Sequence, residues 1–470
     1  MPTDLSSPVP PPTVDPVVPR VTTDRSRRRP RFEVWLTVAV VACVAAGTVA
    51  SYIHASPKLS PIDEFQHVDY LFAVNEGHVP RTGERVTQRT MREEACRGLD
   101  FPMALPACDA SATYDPNAFQ ERGQQTATSH PPVYYWLANV VGSTLDRVSS
   151  EVHGLVTGAR LAGALWLALA LALMISTAAQ LGIRARAAAP PLLLVAASPG
   201  VLQPAAAVNP DSMSVLCGAA VLAAVVWWER RGGRLPLILL LAAVLLTTLI
   251  KGMNVIVVGG ALIYLLVRWA TNPDRSARSL ARPVGVALAA VLVGSAGVLG
   301  WLRVVAHRTV DDTPSDMAQR FHSDSLVPGD IIGQVTALLS PTSPPYVPQF
   351  IATSTTFTFI TLTSTILAAA CFGHIMWRTG RDRIGATAYA AGGSLLVSGL
   401  VMALANQFLF HLFIPLPSRY GLVLLPFLLI PLMAACDQRR AVRWFTLALA
   451  LSSLVVFLSQ AWALAGPTRA

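Results

Sequence analysis

PPVYYWLANVVGSTL, residues 131–145, is the stretch on which the fold of this chain turns. Read as a membrane span it would be a twelfth and would invert every connection after it. Read as a helix lying in the interface it leaves eleven. The apolar runs around it are Val34–Tyr52 and, approximately, 158–181, 187–207, 212–229, 235–251, 254–269, 283–306, 356–377, 384–410, 419–436 and 443–465. With eleven spans, one set of alternate connections reads GIRAR, ERRGGR, RWATNPDRSARSLAR, WRTGRDR and CDQRRAVR. All five are short and arginine-rich, as cytoplasmic loops are. A span at 131–145 would put those arginines outside. Tyr134, Tyr135 and Trp136 suit the headgroup region, and Pro131 and Pro132 are tolerated in a first helical turn. The stretch is therefore expected to be an interfacial juxtamembrane helix.

Composition supports a membrane protein. The 470 residues are 53% hydrophobic and 13% charged, against about 25% charged in an ordinary globular chain, and mean hydropathy is +0.49. That excludes a soluble enzyme core, a nucleic-acid-binding domain and a disulfide-framework secreted domain. The net charge of +9 is first a topology signal, because many of the arginines lie in the tail and the cytoplasmic loops. Residues 1–31 are Pro-rich and end in DRSRRRPR, so they read as a disordered cytoplasmic tail before an uncleaved first helix. Residues 32–470 form the transmembrane domain, with outer loops 53–157 and 307–355. The N-terminus is expected inside and the C-terminus outside, in the inner or plasma membrane of a bacterium. Cys43, Cys217, Cys371 and Cys436 fall in or at the end of apolar runs, where a thiol acts as a small hydrophobe. Cys96 and Cys108 share one polar segment, and if it faces outward a disulfide and two free thiols are equally open to them, because oxidising compartments permit the bond.

The outer face collects the unusual chemistry. Loop 53–157 is about a hundred residues, too long for a mere connector. Near its start stands SPIDEFQHVDY, residues 60–70. A helix with Ser60 as N-cap and Pro61 in the first turn would put Asp63, His67 and Tyr70 near one face. Acidic residues also favour helix N-termini for structural reasons alone. What raises Asp63 and Glu64 above that is their position, paired at the outer membrane surface under a large loop.

A second feature is TSHPPVYYWL, residues 128–137, in which the prolines fix the chain and His130 is ambiguous. A third is a set of polar residues at outer helix ends: Arg160 opening the second span, Asn209 and Asp211 in AAAVNPDSM, Lys251 after LLTTLI, and Arg419 with Tyr420 opening the tenth. Ionisable groups at membrane depth are costly and point to function. Capping accounts for Asp211 and snorkelling for Lys251 if each is taken alone. Taken together, Arg160, Lys251 and Arg419 suggest an outward anion site suited to a lipid-linked phosphate. Arg303, His307, Arg308, Asp311, Asp312 and His322 in the second outer loop match no motif. Asp63 and His67 supply two ligands for a divalent cation, but no third is assignable, so no cofactor is assigned.

In order and sidedness these motifs resemble the GT-C superfamily of integral-membrane glycosyltransferases. PIDEFQH, HPPVYY, an Arg opening the second span, NPDS, and SRY before the tenth span are similar to a bacterial branch with an acidic pair, a following histidine and a His-Pro-Pro-x-Tyr-Tyr motif. The resemblance covers roughly residues 33–465. It implies an all-α, polytopic bundle and transfer of a sugar, with inversion, from a polyprenyl-phosphate donor to a glycan or lipid acceptor of the cell envelope on the outer face. On that pattern Asp63 is the general base, with Glu64 as its possible substitute. Arg160, Lys251 and Arg419 are candidates for the phosphate. His67, His130, Tyr134, Asn209, Asp211 and Tyr420 complete the expected substrate-binding set. Membrane lipids are the other expected partner, and nucleic acid is not one. The alternatives are a transporter or flippase for a lipid-linked glycan, which would want charges near the midplane of its spans, and a non-catalytic membrane scaffold.

Overall fold

The computed structural model describes residues 31–463 apart from 150–151, 274–275, 312–318, 324, 326–327, 345, 347, 352, 379–381, 412 and 414. The tail before Arg31 and Asp312 lie outside the described residues. The chain is an all-helical, multi-pass membrane protein. Among the described residues nine helices are long and apolar enough to cross a membrane, and a bent pair and one shorter apolar helix supplement them. They match the eleven apolar runs one for one.

In chain order the helices are α1 (Arg31–Ala55), α2 (Glu64–Asn75), α3 (Gln88–Arg97), α4 (Val133–Val148), α5 (Leu155–Gln180), α6 (Ala185–Ala196), α7 (Pro199–Ala205) and α8 (Ser214–Arg231). There follow α9 (Arg234–Ile250), α10 (Ile256–Ala270), α11 (Ala277–Arg308), α12 (Pro328–Leu338), α13 (Ser354–Arg378), α14 (Arg383–Phe410), α15 (Leu425–Gln438) and α16 (Arg440–Ala463). Large apolar side chains such as Trp35, Leu292, Trp377 and Trp444 stand exposed on the helix surfaces, as they do on helices meant to face hydrocarbon.

Two spans depart from continuous helices. The third is broken into α6 and α7 with a bend of 68°. The break falls where α7 restarts with Pro199 in its first turn after Ser198, a residue that cannot extend the preceding hydrogen-bond ladder. The tenth begins as a 3-10 segment, Ser418–Leu424, before continuing as α15. Gly218 on α8 lets that segment come close, because a Cβ there would lie 1.9 Å from the Val423 carbonyl oxygen.

The stretch that governs the topology is α4, a 16-residue helix. Tyr134, Tyr135, Ala138 and Gly142 are buried on one side while Trp136, Leu137 and Val140 are exposed on the other, the one-stripe pattern of a helix lying on a bundle. It docks on α5 through glycine: a Cβ on Gly158 would sit 2.4 Å from the Gly142 carbonyl oxygen.

Polar groups gather at the two ends of the bundle. At one end Glu229, closing α8, pairs with Arg268 of α10 at 3.1 Å and with Arg383 of α14 at 2.6 Å, and Arg184 pairs with Asp437. These belong to the arginine-rich connections. The opposite end carries the long segments. There α2, α3 and α4 form a cap whose own small core is Phe65, Val86, Met91, Tyr114 and Phe119. Cys96 and Cys108 are disulfide-bonded within it. The second long segment grips this cap, Val310 N–H donating to the Thr82 carbonyl at 2.9 Å and the Tyr346 hydroxyl to the Asp100 carbonyl.

Candidate functional site

The expected helix over SPIDEFQHVDY starts later than its residues suggest. Ser60 stands in the preceding turn, where its hydroxyl accepts the Ile62 N–H at 3.3 Å. Asp63 takes the N-cap position of α2 in a left-handed conformation, φ 60, with no side-chain capping bond. Asp63 is therefore off the helix face that carries His67 and Tyr70. The turn swings its carboxylate away from α2, and Glu64, the first residue of the helix, points inward instead.

The adjacent carboxylates thus enter different environments. Glu64 is fully buried and holds Arg160 of α5 at 2.8 and 2.7 Å in a two-pronged pair. Its oxygens also accept the Val208 and Ser60 N–H groups at 2.8 and 2.7 Å. Arg160 spends its other hydrogens on the carbonyls of Ser56, Pro57 and Lys58, at 3.3, 3.2 and 2.7 Å. Its side chain is 2% exposed. The expectation that Arg160 joins Lys251 and Arg419 around an anion does not match this geometry, since every direction of its guanidinium is already occupied. It closes the joint between the end of α1, α2 and the approach to the NPDS turn.

Asp63 faces a second cluster. Its side chain is 42% exposed, and it pairs with Arg419 Nη2 at 3.2 Å. Arg419 Nε also pairs with Asp211 Oδ2 at 2.8 Å, and Asp211 Oδ1 with Lys251 Nζ at 2.5 Å. Asp211, Lys251 and Arg419 are 1%, 3% and 7% exposed. Capping does not explain Asp211, because the cap is Asn209, whose side chain accepts the Asp211 N–H at 2.8 Å. Nor does snorkelling explain Lys251, which is buried. The Tyr420 ring lies under both cations, 4.3 Å from Lys251 Nζ and 5.4 Å from the Arg419 guanidinium carbon, a stabilising arrangement for positive charge. Two carboxylates and two cations leave the cluster neutral. Such burial is costly unless partners compensate, so its members are bound to each other across α8, α9 and the Ser418–Leu424 segment.

Aromatic residues wall one side. Tyr134 of α4 accepts the Asn209 N–H at 2.9 Å and so ties the interfacial helix to the NPDS turn. His67 Nδ1 and the Tyr135 hydroxyl are 2.7 Å apart, and Tyr135 stacks on Tyr70 at 3.8 Å. The His130 ring lies 5.4 Å from that of His67. Burial, His130 and the nearby Lys251 and Arg419 push the His67 imidazole well below its ordinary range. Burial and the same two cations bring His130 down to about 3. Both histidines are neutral near pH 7 and serve as polar walls, not as cations.

A groove of about 300 Å³ runs between α13 and α14, lined by Ser340, Ser343, Thr361, Ser364 and Thr365 among apolar neighbours. Its rim is joined to the site, since the Ser418 hydroxyl donates to the Ser343 carbonyl at 2.5 Å. Among the described residues no group of three or more His, Cys, Asp or Glu is arranged to hold a metal ion.

Three residues not singled out for the site in the sequence take part in it or in its cap, and Tyr135, expected at the headgroups, is buried. Tyr135 partners His67. Asp69 is buried and accepts from Thr87 N–H at 2.8 Å, Thr90 Oγ1 at 2.7 Å and Gln125 Nε2 at 2.7 Å, knitting the cap together. Glu94 is buried, accepts from Gln120 at 2.6 Å, and is pushed up to about 7 by burial. Asp69 lies inside the quoted motif, at a position that its type alone does not distinguish. Nothing local marks Glu94.

Fold and site define a polytopic α-helical membrane protein with a one-sided ionic cleft under a helical cap. The sequence profile of the Dolichyl-phosphate-mannose-protein mannosyltransferase family matches residues 134–306, from α4 nearly to the end of α11. Over that stretch the match bears out the resemblance to GT-C membrane glycosyltransferases. Among solved structures, ArnT from Cupriavidus metallidurans bound to undecaprenyl phosphate is similar, at 16% identity and a TM-score of 0.49. That likeness covers 89% of this chain and 62% of ArnT, so the chain spans about three fifths of that protein's length. No curated protein matches the chain.

Proposed function

We propose that the protein is a glycosyltransferase moving a sugar from a polyprenyl-phosphate donor to a cell-envelope acceptor, with inversion, at the capped end of the bundle. The observation that carries this is the half-exposed Asp63 carboxylate beside the buried Lys251–Asp211–Arg419 cluster. An inverting transfer needs a base for the acceptor hydroxyl and cations for the departing phosphate. The acceptor oxygen attacks the anomeric carbon. Asp63 takes its proton, and the bond from that carbon to the phosphate oxygen breaks, the lipid phosphate leaving with the electron pair. Arg419 and Lys251 stabilise that leaving group. Glu64 and Arg160, each saturated, hold the loop that presents Asp63. His67, His130 and Tyr134 shape the cleft wall, with Asn209 and Tyr420 fixing the cations and their partner. The groove beside Ser343 would take the polyprenyl chain.

The arginine-rich end would face the cytoplasm, which places the N-terminus inside, the capped end outside and the disulfide in an oxidising compartment. A flippase reading is less well supported, because the buried ionic groups described here lie at helix ends. The test is a deletion strain in which lipid-linked sugars are followed by mass spectrometry. A polyprenyl-phosphate sugar should accumulate and disappear when wild-type protein is restored, but not when Asp63→Asn is. Clearance by Asp63→Asn equal to wild type would sink the assignment.

A further inference from the structure

Within the ionic cluster one contact differs from the rest. Lys251–Asp211 and Arg419–Asp211 are short and sealed, whereas Asp63–Arg419 is the longest, at 3.2 Å, and its carboxylate is the only one of the four groups open to solvent. Asp63 also forgoes the ordinary work of its position. An Asp at an N-cap normally accepts from the first turn of its helix, but this one makes no capping bond and holds a left-handed backbone. A non-glycine residue in that region, even Asp, is held there by its surroundings. Arg419 is the fixed partner, anchored by Asp211, seated against Tyr420, and flanked by the Ser418–Ser343 bond at the rim of the membrane groove.

We infer that the Asp63–Arg419 pair is a latch that keeps the base engaged until a lipid phosphate displaces it from Arg419. The inference rests on the reading of the site as a phosphate-binding one. In this structure one Asp63 carboxylate oxygen is engaged by Arg419. A lipid phosphate bound at Arg419 and Lys251 substitutes for Asp63, so the exchange is one anion for another. Asp63 then stands free beside the new leaving group. The order of events follows: donor first, acceptor second. A base that appears only with donor in place couples proton removal to the presence of a leaving group.

The latch has a consequence for binding as well as for transfer. Removing the Asp63 charge should improve binding of the lipid phosphate while abolishing transfer. Asn tolerates the left-handed conformation, so Asp63→Asn keeps the backbone. Full-length protein in nanodiscs would be titrated with undecaprenyl phosphate, as wild type, Asp63→Asn and Arg419→Gln, each checked for an intact melting transition. Asp63→Asn should bind roughly 3- to 30-fold tighter than wild type, the range expected for loss of a competing, half-exposed carboxylate. Arg419→Gln should bind far more weakly. Equal or weaker binding by Asp63→Asn, with Arg419→Gln impaired, overturns the latch and leaves the phosphate site standing. Failure of wild type and Asp63→Asn alike to bind undecaprenyl phosphate overturns the phosphate reading, and the latch with it. Should Arg419→Gln not fold, the comparison of wild type with Asp63→Asn still decides.

Discussion

Asp63 and Glu64 are neighbours with the same chemistry and opposite surroundings. Glu64 is wholly buried, and its oxygens are filled by Arg160 and two backbone N–H groups. Asp63 is nearly half exposed and touches one guanidinium. The difference comes from a single residue in a left-handed turn, which sends one carboxylate into the joint between α1, α2 and α5 and the other into the cleft. A buried, fully paired carboxylate is worth most to stability and least to chemistry. A half-exposed one beside buried cations has the reverse profile, because it can exchange partners and protons.

That contrast can be broken most decisively at the two residues themselves. Asp63→Asn should lower the rate of sugar transfer by roughly 100- to 10,000-fold, the usual scale for a general base, with an unchanged melting temperature. Radiolabelled sugar incorporation alongside thermal melts would show it. Glu64→Gln should do the opposite. It leaves the Arg160 charge buried without its counter-ion, a loss of about 3–5 kcal/mol in stability, visible as a large drop in melting temperature. A Glu64→Gln protein that melts like wild type and has lost transfer would reverse the roles assigned here.

Smaller changes sharpen the comparison at its edges. Tyr135→Phe removes the hydroxyl that His67 meets at 2.7 Å and should cost about 1–2 kcal/mol, the scale for a buried polar group left unpartnered. Denaturant or thermal unfolding would register it, with transfer falling less than in Asp63→Asn. An effect confined to one pH interval concerns Glu94 in the cap. Its folded carboxyl titrates at about 7 against an ordinary 4.5, so the unfolded chain gives up this proton first as pH rises. Stability should therefore decline between about pH 4.5 and pH 7. Glu94→Gln should flatten that slope in melts taken across the interval, and an unaltered slope would assign it to other groups.

Much of the architecture was legible along the chain because the membrane imposes one-dimensional rules. The eleven apolar runs, the arginine-rich connections and the parity argument at 131–145 all follow from hydrocarbon thickness and from the preference of cations for one side. The break between α6 and α7 was less legible, although Ser198–Pro199 marked the place. Short motifs also pointed to Asp211, Lys251 and Arg419, since charged residues near membrane depth are rare enough to stand out.

What the sequence by itself determined was which residues lie at the capped end and that they carry both signs of charge. Only the tertiary structure decided which of them pair. Arg160 and Arg419 look alike in sequence, each opening a span, yet one is enclosed by five acceptor atoms and the other keeps an exposed partner. Asp63 and Glu64 differ by one methylene and one position. Their roles separate because backbone dihedrals at a helix start, and the packing of α1, α5 and α8 around them, set how much water each carboxylate keeps. Hydration is a property of the assembled surroundings, and no local pattern of residues encodes it.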